Sequence, residues 1–129
     1  MTVVDASLLV DALRAVRSPA AQALANAEVP VLAPELLDLE VTSALRRLSG
    51  EGGLTSDDAE ILLRRLELMP IKRRSHLPLL RRVWELRHAV TPYDAVYIAL
   101  AEQHQAKLLT RDRAMADAPE TRCEVELVS

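Results

Sequence analysis

The sequence predicts an α/β fold, a parallel sheet of short strands covered by helices on both faces. Three observations carry that expectation. Short apolar runs at Val3-Val4, Val29 to Ala33 and Lys107 to Leu109 alternate with longer segments whose apolar residues recur at helical spacing, the pattern of strand–helix–strand units. The stretch from Pro92 to Ala101 is apolar on almost every side until Glu102, as a helix buried in a core must be. Half of the 129 residues are hydrophobic, enough for one ordinary domain, residues 1–129, to bury roughly two thirds of its chain surface.

In order, Val3-Val4 reads as a buried strand ending at Asp5. Leu8, Leu9, Ala12, Leu13 and Val16 mark a helix to about Val16, with Asp5 or Ser7 as its cap. Ser18-Pro19 opens an Ala-rich helix to about Ala27. Val29 to Ala33 is a second strand, and Pro34 starts a helix to about Leu48 with Leu37, Val41, Ala44, Leu45 and Leu48 on its apolar face. Ser49 to Gly53 holds all three glycines and reads as a flexible link; it lacks the lysine and the preceding strand of a phosphate loop. Thr55 caps a helix to about Leu68, with Ile61, Leu62 and Leu66 on one side. Met69 to Arg73 reads as an edge strand, where Pro70 is tolerated. Pro78 begins a helix to Arg87 carrying Leu79, Leu80, Val83, Trp84 and Leu86. Thr91 caps and Pro92 opens the apolar helix, which runs to about Gln105. Lys107 to Leu109 is a strand, a short helix follows from about Arg113 to Ala118, and the alternating Glu124 to Val128 fits a half-exposed edge strand.

Composition narrows the function classes. The only aromatic residues are Trp84, Tyr93 and Tyr97, so the core is aliphatic and base stacking on aromatic platforms is disfavoured. The formal charge is -3, yet the segment from Arg46 to Arg87 holds ten basic residues against six acidic ones. Arg46, Arg47, Arg73 and Arg74 in that segment are candidates for tracking a phosphate backbone, against the simpler reading of solvated helix faces. A single cysteine, Cys123, excludes an internal disulfide and fits a reducing compartment. No signal peptide and no apolar run of membrane-spanning length is present, so a cytoplasmic location is expected. His76 and His88 lack partners at metal-ligand spacing and read as surface or packing residues.

Four acids fall where the predicted fold is apolar or converges. Asp5 and Asp112 each lie at or just past the end of a strand, where parallel sheets place their sites. Asp94 stands three residues after the Thr91 cap, either closing a capping box or aiming a carboxylate into a cleft. Glu40 borders the apolar stripe of its helix, a costly position unless an arginine or a metal compensates it. Clustered carboxylates repel and drift towards their neutral forms. A divalent cation relieves that repulsion, and oxygen-only ligands favour Mg²⁺ or Mn²⁺ over Zn²⁺. Such ions act on phosphate esters by polarising the phosphoryl oxygen and acidifying water.

The strings Val3-Val4-Asp5-Ala6-Ser7, the helical Glu40, Thr91-Pro92-Tyr93-Asp94-Ala95 running into Tyr97 to Ala101, and Leu108-Leu109-Thr110-Arg111-Asp112 together resemble a PIN domain, in its small VapC-type toxin form. The resemblance covers essentially the whole chain. It implies a PIN-like three-layer α/β/α fold with about five parallel strands, and a Mg²⁺- or Mn²⁺-dependent endoribonuclease. By the same resemblance, Asp5, Glu40, Asp94 and Asp112 form the catalytic and metal-binding quartet, with Ser7 and Thr110 as polar residues lining it. It further implies an RNA substrate, a homodimer, and inhibition by a cognate VapB-type antitoxin that wraps the toxin and blocks the site.

Two other functions fit the same residues. One is a housekeeping RNA-processing nuclease of this fold; the other is a non-catalytic module that binds an antitoxin. A phosphatase of the haloacid dehalogenase type also opens with an Asp after a strand, but it needs a second Asp two residues on, where this chain has Ser7.

Overall fold

A computed structural model describes residues 1–129. The chain begins in the middle of its sheet. Strand β1 (Thr2–Val4) leads into helices α1 (Ala6–Arg14) and α2 (Pro19–Ala25), then β2 (Val31–Pro34) at its side. Helices α3 (Leu36–Gly50) and α4 (Ser56–Leu68) follow, and β3 (Ile71–Arg74) forms the edge. A 3₁₀ turn (Leu77–Leu79), α5 (Leu80–Glu85) and α6 (Pro92–Gln103) carry the chain back to β4 (Lys107–Thr110), on the free side of β1. Helix α7 (Arg113–Ala116) and β5 (Val125–Leu127) complete the far edge.

The strand order is β3-β2-β1-β4-β5, with all pairs parallel. Parallel crossovers are right-handed, so connections stepping in opposite directions along the sheet put their helices on opposite faces. Helices α1 to α4 accordingly pack against one another in one layer, and α5 and α6 pack together in the other. The result is a three-layer α/β/α fold. Strand order reverses between β1 and β4, which opens a crevice beyond their carboxyl ends.

Local chemistry accounts for most element boundaries. Ser18, Thr55 and Thr91 cap α2, α4 and α6 through their hydroxyl oxygens, and Asp5 and Asp112 cap α1 and α7 through their carboxylates. Helix α6 buries every residue from Ala95 to Ala101, because it lies across β1, β2 and β4 with α5 on its other side. The three residues of β1 are buried as well, as the central strand of a doubly covered sheet requires.

Several boundaries differ from the sequence expectation. Val29 is 76% exposed and lies outside β2, which starts at Val31. Pro34 ends β2 opposite Arg74 instead of opening α3, and the Glu35 N–H donates to Arg74 O at 2.9 Å. Pairing with β3 therefore overrides the preference of proline for a first helical turn. Ser49 and Gly50 belong to α3, so the flexible link begins only at Glu51, and Gly52 is the one glycine with a left-handed φ, 77°. The segment after Pro78 is not one helix but a 3₁₀ turn and the short α5, with Leu79 and Leu86 buried while Leu80 and Trp84 face solvent. Val16 and Ile61, assigned above to apolar helix faces, are exposed.

Candidate active site

The crevice between β1 and β4 is floored by a hydrogen-bonded lattice. Asp5, only 3% exposed, leaves the end of β1 and starts α1. Its Oδ1 accepts from the Leu8 N–H at 3.0 Å and from Ser7 Oγ at 2.8 Å. Its Oδ2 accepts from the hydroxyl of Thr110 at 2.5 Å. Thr110 is fully buried at the end of β4, next to β1. Its Oγ1 also accepts from the Asp112 N–H at 2.9 Å, and Ser7 Oγ accepts from the Arg111 N–H at 3.1 Å. Two hydroxyls thus lock the β1–α1 and β4–α7 turns together, with Asp5 and Asp112 set by the same lattice.

Two helices bring the other acids. Asp94 sits in the first turn of α6, half-buried. Its N–H donates to the Thr91 hydroxyl at 3.2 Å. The Thr91 side chain also hydrogen-bonds the Asp94 carboxylate, which lies within the field of Asp112 and Asp5. Glu40 reaches in from α3, and the Tyr97 hydroxyl donates to its Oε1 at 2.6 Å. Tyr97 is 1% exposed and stands one turn after Asp94 on α6, so this bond ties the two helical layers across the end of the sheet.

The electrostatics fit a convergent acidic site. Burial is the largest cause raising the Asp5, Glu40 and Asp94 pKa values. Like charge adds to it: Asp112 acts on Asp5 and Asp94, while Asp5 acts on both Glu40 and Asp94. Hydrogen bonds from Thr110, Leu8 and Ser7 oppose the rise at Asp5, and Tyr97 opposes it at Glu40. Burial and the Glu40 carboxylate both raise the Tyr97 pKa, so its phenol stays a neutral donor. The four acids are electrostatic neighbours without forming a closed ligand set: no group of three or more His, Cys, Asp and Glu side chains is arranged to hold a metal ion.

The donor chemistry nevertheless suits a hard dication. Every candidate ligand is a carboxylate oxygen, and three of the four carry a burial and repulsion penalty that a cation would relieve. Ser7 and Thr110, predicted as lining residues, hold Asp5 directly. Tyr97 is the residue the sequence reading missed. A signal existed: a tyrosine inside an apolar helix needs a partner for its hydroxyl, and one turn after Asp94 that partner lies on the acidic side.

The four arginines proposed above for a phosphate backbone separate in the structure. Arg73 is tied into the fold. Its guanidinium binds the Asp38 carboxylate, at 2.8 Å for the shortest contact, and donates to the carbonyls of Leu66 and Ile71. Arg46, Arg47 and Arg74 are exposed and form no ion pair.

Residues 2–120 match the model of the PIN domain. Ribonuclease VapC1 of Mycobacterium tuberculosis is 39% identical over 134 residues, covering 98% of this chain and 96% of that protein. VapC ribonuclease Mb0985 of Mycobacterium bovis is 34% identical over 128 residues, covering 99% and 98%. Among solved structures, a toxin–antitoxin complex from Klebsiella pneumoniae superposes with a TM-score of 0.72 over 98% of this chain and 96% of that one, at 19% identity. That last likeness speaks for the fold.

Proposed function

The chain belongs to the PIN-domain family, and from that premise we propose that it is a Mg²⁺- or Mn²⁺-dependent endoribonuclease, the VapC-type toxin of a toxin–antitoxin pair. The observation that carries this reading is the meeting of Asp5, Glu40, Asp94 and Asp112 at the reversal of strand order, with burial and mutual repulsion raising three of them. The VapC ribonucleases it resembles over nearly their whole length support the choice of RNA. The similarity to VapC ribonucleases favours a VapB-type antitoxin as partner, with inhibition by occlusion of the crevice.

In this reading Asp5 and Asp94 hold the cation most directly and Asp112 completes the set. A bound dication supplies charge neutralisation at the phosphate and acidification of a water. The chain supplies the rest. Ser7 and the Leu8 N–H hold Asp5 Oδ1 and Thr110 holds Oδ2, and together they fix the orientation of the carboxylate. Glu40, raised by burial and held by Tyr97, accepts the proton from the attacking water. Asp112 would join the ligand set through the oxygen not used by the cap, since its Oδ1 accepts from the Ala114 N–H at 2.9 Å.

The test is cleavage of total cellular RNA by the purified chain in Mg²⁺, in Mn²⁺ and in EDTA, beside Asp94→Asn. Discrete fragments that need metal and disappear in the variant are expected. Fragments from the variant at the wild-type rate would remove Asp94 from the machinery. No cleavage by folded, antitoxin-free protein in either metal would shift the function to a binding role.

A further inference from the structure

One wall of the acidic crevice continues into a groove of about 370 Å³ between α1 and α3, lined by Ser7, Asp11 and Arg14 from one helix and Glu40, Ala44 and Arg47 from the other. Ser7, Asp11 and Arg14 are spaced four and three apart, so they form a single stripe leading down α1 away from the site. Glu40 and Arg47 are seven apart on α3 and give the opposite wall the same direction. Each wall therefore starts at a residue of the candidate active site and ends at an arginine.

The charge in the groove is sorted. Its two carboxylates are already engaged: Asp11 by the Arg111 guanidinium and Glu40 by the Tyr97 hydroxyl. Arg14 and Arg47 are exposed and have no ion pair and no side-chain hydrogen bond. Two unpaired guanidiniums facing one groove in a chain of net charge -3 form a local site for anionic oxygens.

We propose that Arg14 and Arg47 bind successive phosphates of a single RNA strand that lies in the α1–α3 groove and enters the crevice past Ser7 and Glu40. The inference rests on the ribonuclease reading and adds to it the path of the substrate. The groove has no aromatic lining, so it grips backbone and does not stack bases. It positions RNA independently of sequence, and the choice of target belongs to other surfaces. Arg14 lies outside the Arg-rich middle of the sequence, and its role comes only from the packing of α1 beside α3.

The experiment compares wild type, Arg14→Gln/Arg47→Gln and Arg14→Lys/Arg47→Lys. Binding of a fluorescein-labelled mixed-sequence single-stranded RNA is followed by anisotropy in EDTA from 50 to 200 mM NaCl, and cleavage of total RNA in Mn²⁺ is followed in parallel. Each lost phosphate contact lowers the slope of log affinity against log salt by about 0.7 for single strands, so the double Gln variant should lose about sevenfold of the salt response across that range. Its KM should rise with little change in kcat, and the Lys variant should keep the salt slope. An unchanged slope in the Gln variant, with wild type still binding and cleaving, overturns the groove and leaves the ribonuclease reading intact. The same loss from Arg87→Gln/Arg122→Gln, outside the α1–α4 layer, would also overturn it, because the effect would then be general charge. Wild type that neither binds nor cleaves RNA overturns both.

Discussion

Asp94 is the residue at which the structural and functional roles of one side chain separate most clearly. Its backbone N–H completes the Thr91 cap, while its carboxylate is raised by burial, then by Asp112 and Asp5. A carboxyl whose folded pKa lies above its unfolded value adds stability that is fully present below the unfolded value. That stability is lost as pH rises through the folded pKa. Asp94→Asn removes the penalty and keeps the N–H. Without metal, the variant should therefore melt at or a few degrees above wild type at pH 7.5, and the difference should shrink towards pH 4. Calorimetry in EDTA at the two pH values measures it; a large drop for the variant at pH 7.5 would make the carboxylate a structural cap. The four acids stood out in the sequence by position: Asp5 and Asp112 at strand ends, Asp94 at the mouth of an apolar helix and Glu40 beside an apolar stripe. Tyr97 was legible only as a buried hydroxyl in need of a partner; that the partner is Glu40 depends on where α3 lies, which nothing near Tyr97 in the chain records.

At the scale of elements, period and capping chemistry carried furthest. Helix α6 is apolar all round and is buried all round, and five helices begin at the Ser, Thr or Asp that caps them. What failed is where tertiary pairing outweighs local preference. Pro34 is held in β2 by its alignment with Arg74, and in the segment after Pro78 Leu79 and Leu86 are buried and Val83 packs against the core, while Leu80 and Trp84 stay exposed. The arginine pair at the end of β3 is a second such case. Sequence made Arg73 and Arg74 equivalent; the fold makes Arg73 a brace from the edge strand to Asp38 on α3 and to the end of α4. Arg73→Met keeps the length of the stem but leaves Asp38 and the Leu66 carbonyl without that donor. It should cost about 2 kcal/mol, the range for a hydrogen bond to a charged group. Urea unfolding measures the loss, and RNA cleavage per folded molecule should stay at the wild-type value. A variant that is fully stable but weak on RNA would return Arg73 to the RNA-binding surface.

For the molecule as a whole, the consequence that matters is how the strand order distributes charge. Alternating strands and helices predicted a parallel sheet, but not that Val3 pairs with Leu108 across most of the chain; strand order rests on long-range packing that a periodic pattern does not encode. Once β4 lies beside β1, Asp5 and Asp112 from the two ends of the sheet's connectivity meet the helical Asp94 and Glu40, and burial, with repulsion added, is a standing cost on three of the four. That cost makes metal binding and stability a single measurement. A ligand that binds only the folded state stabilises it by RT ln(1 + [L]/Kd), which at a tenfold excess over Kd is about 1.4 kcal/mol. For a chain of this length the shift is roughly 3–6 °C in Tm. Mn²⁺ or Mg²⁺ should raise the wild-type Tm by that order, saturably, and NaCl at the same ionic strength serves as the control for general screening. Asp94→Asn should start at or above wild type in EDTA and gain less from the metal, so the two melting curves converge or cross on titration. Equal gains in both proteins would place the cation away from Asp94. No gain in either would mean that the crevice keeps its repulsion without a resident ion, and a nuclease reading built on these four carboxylates could not stand.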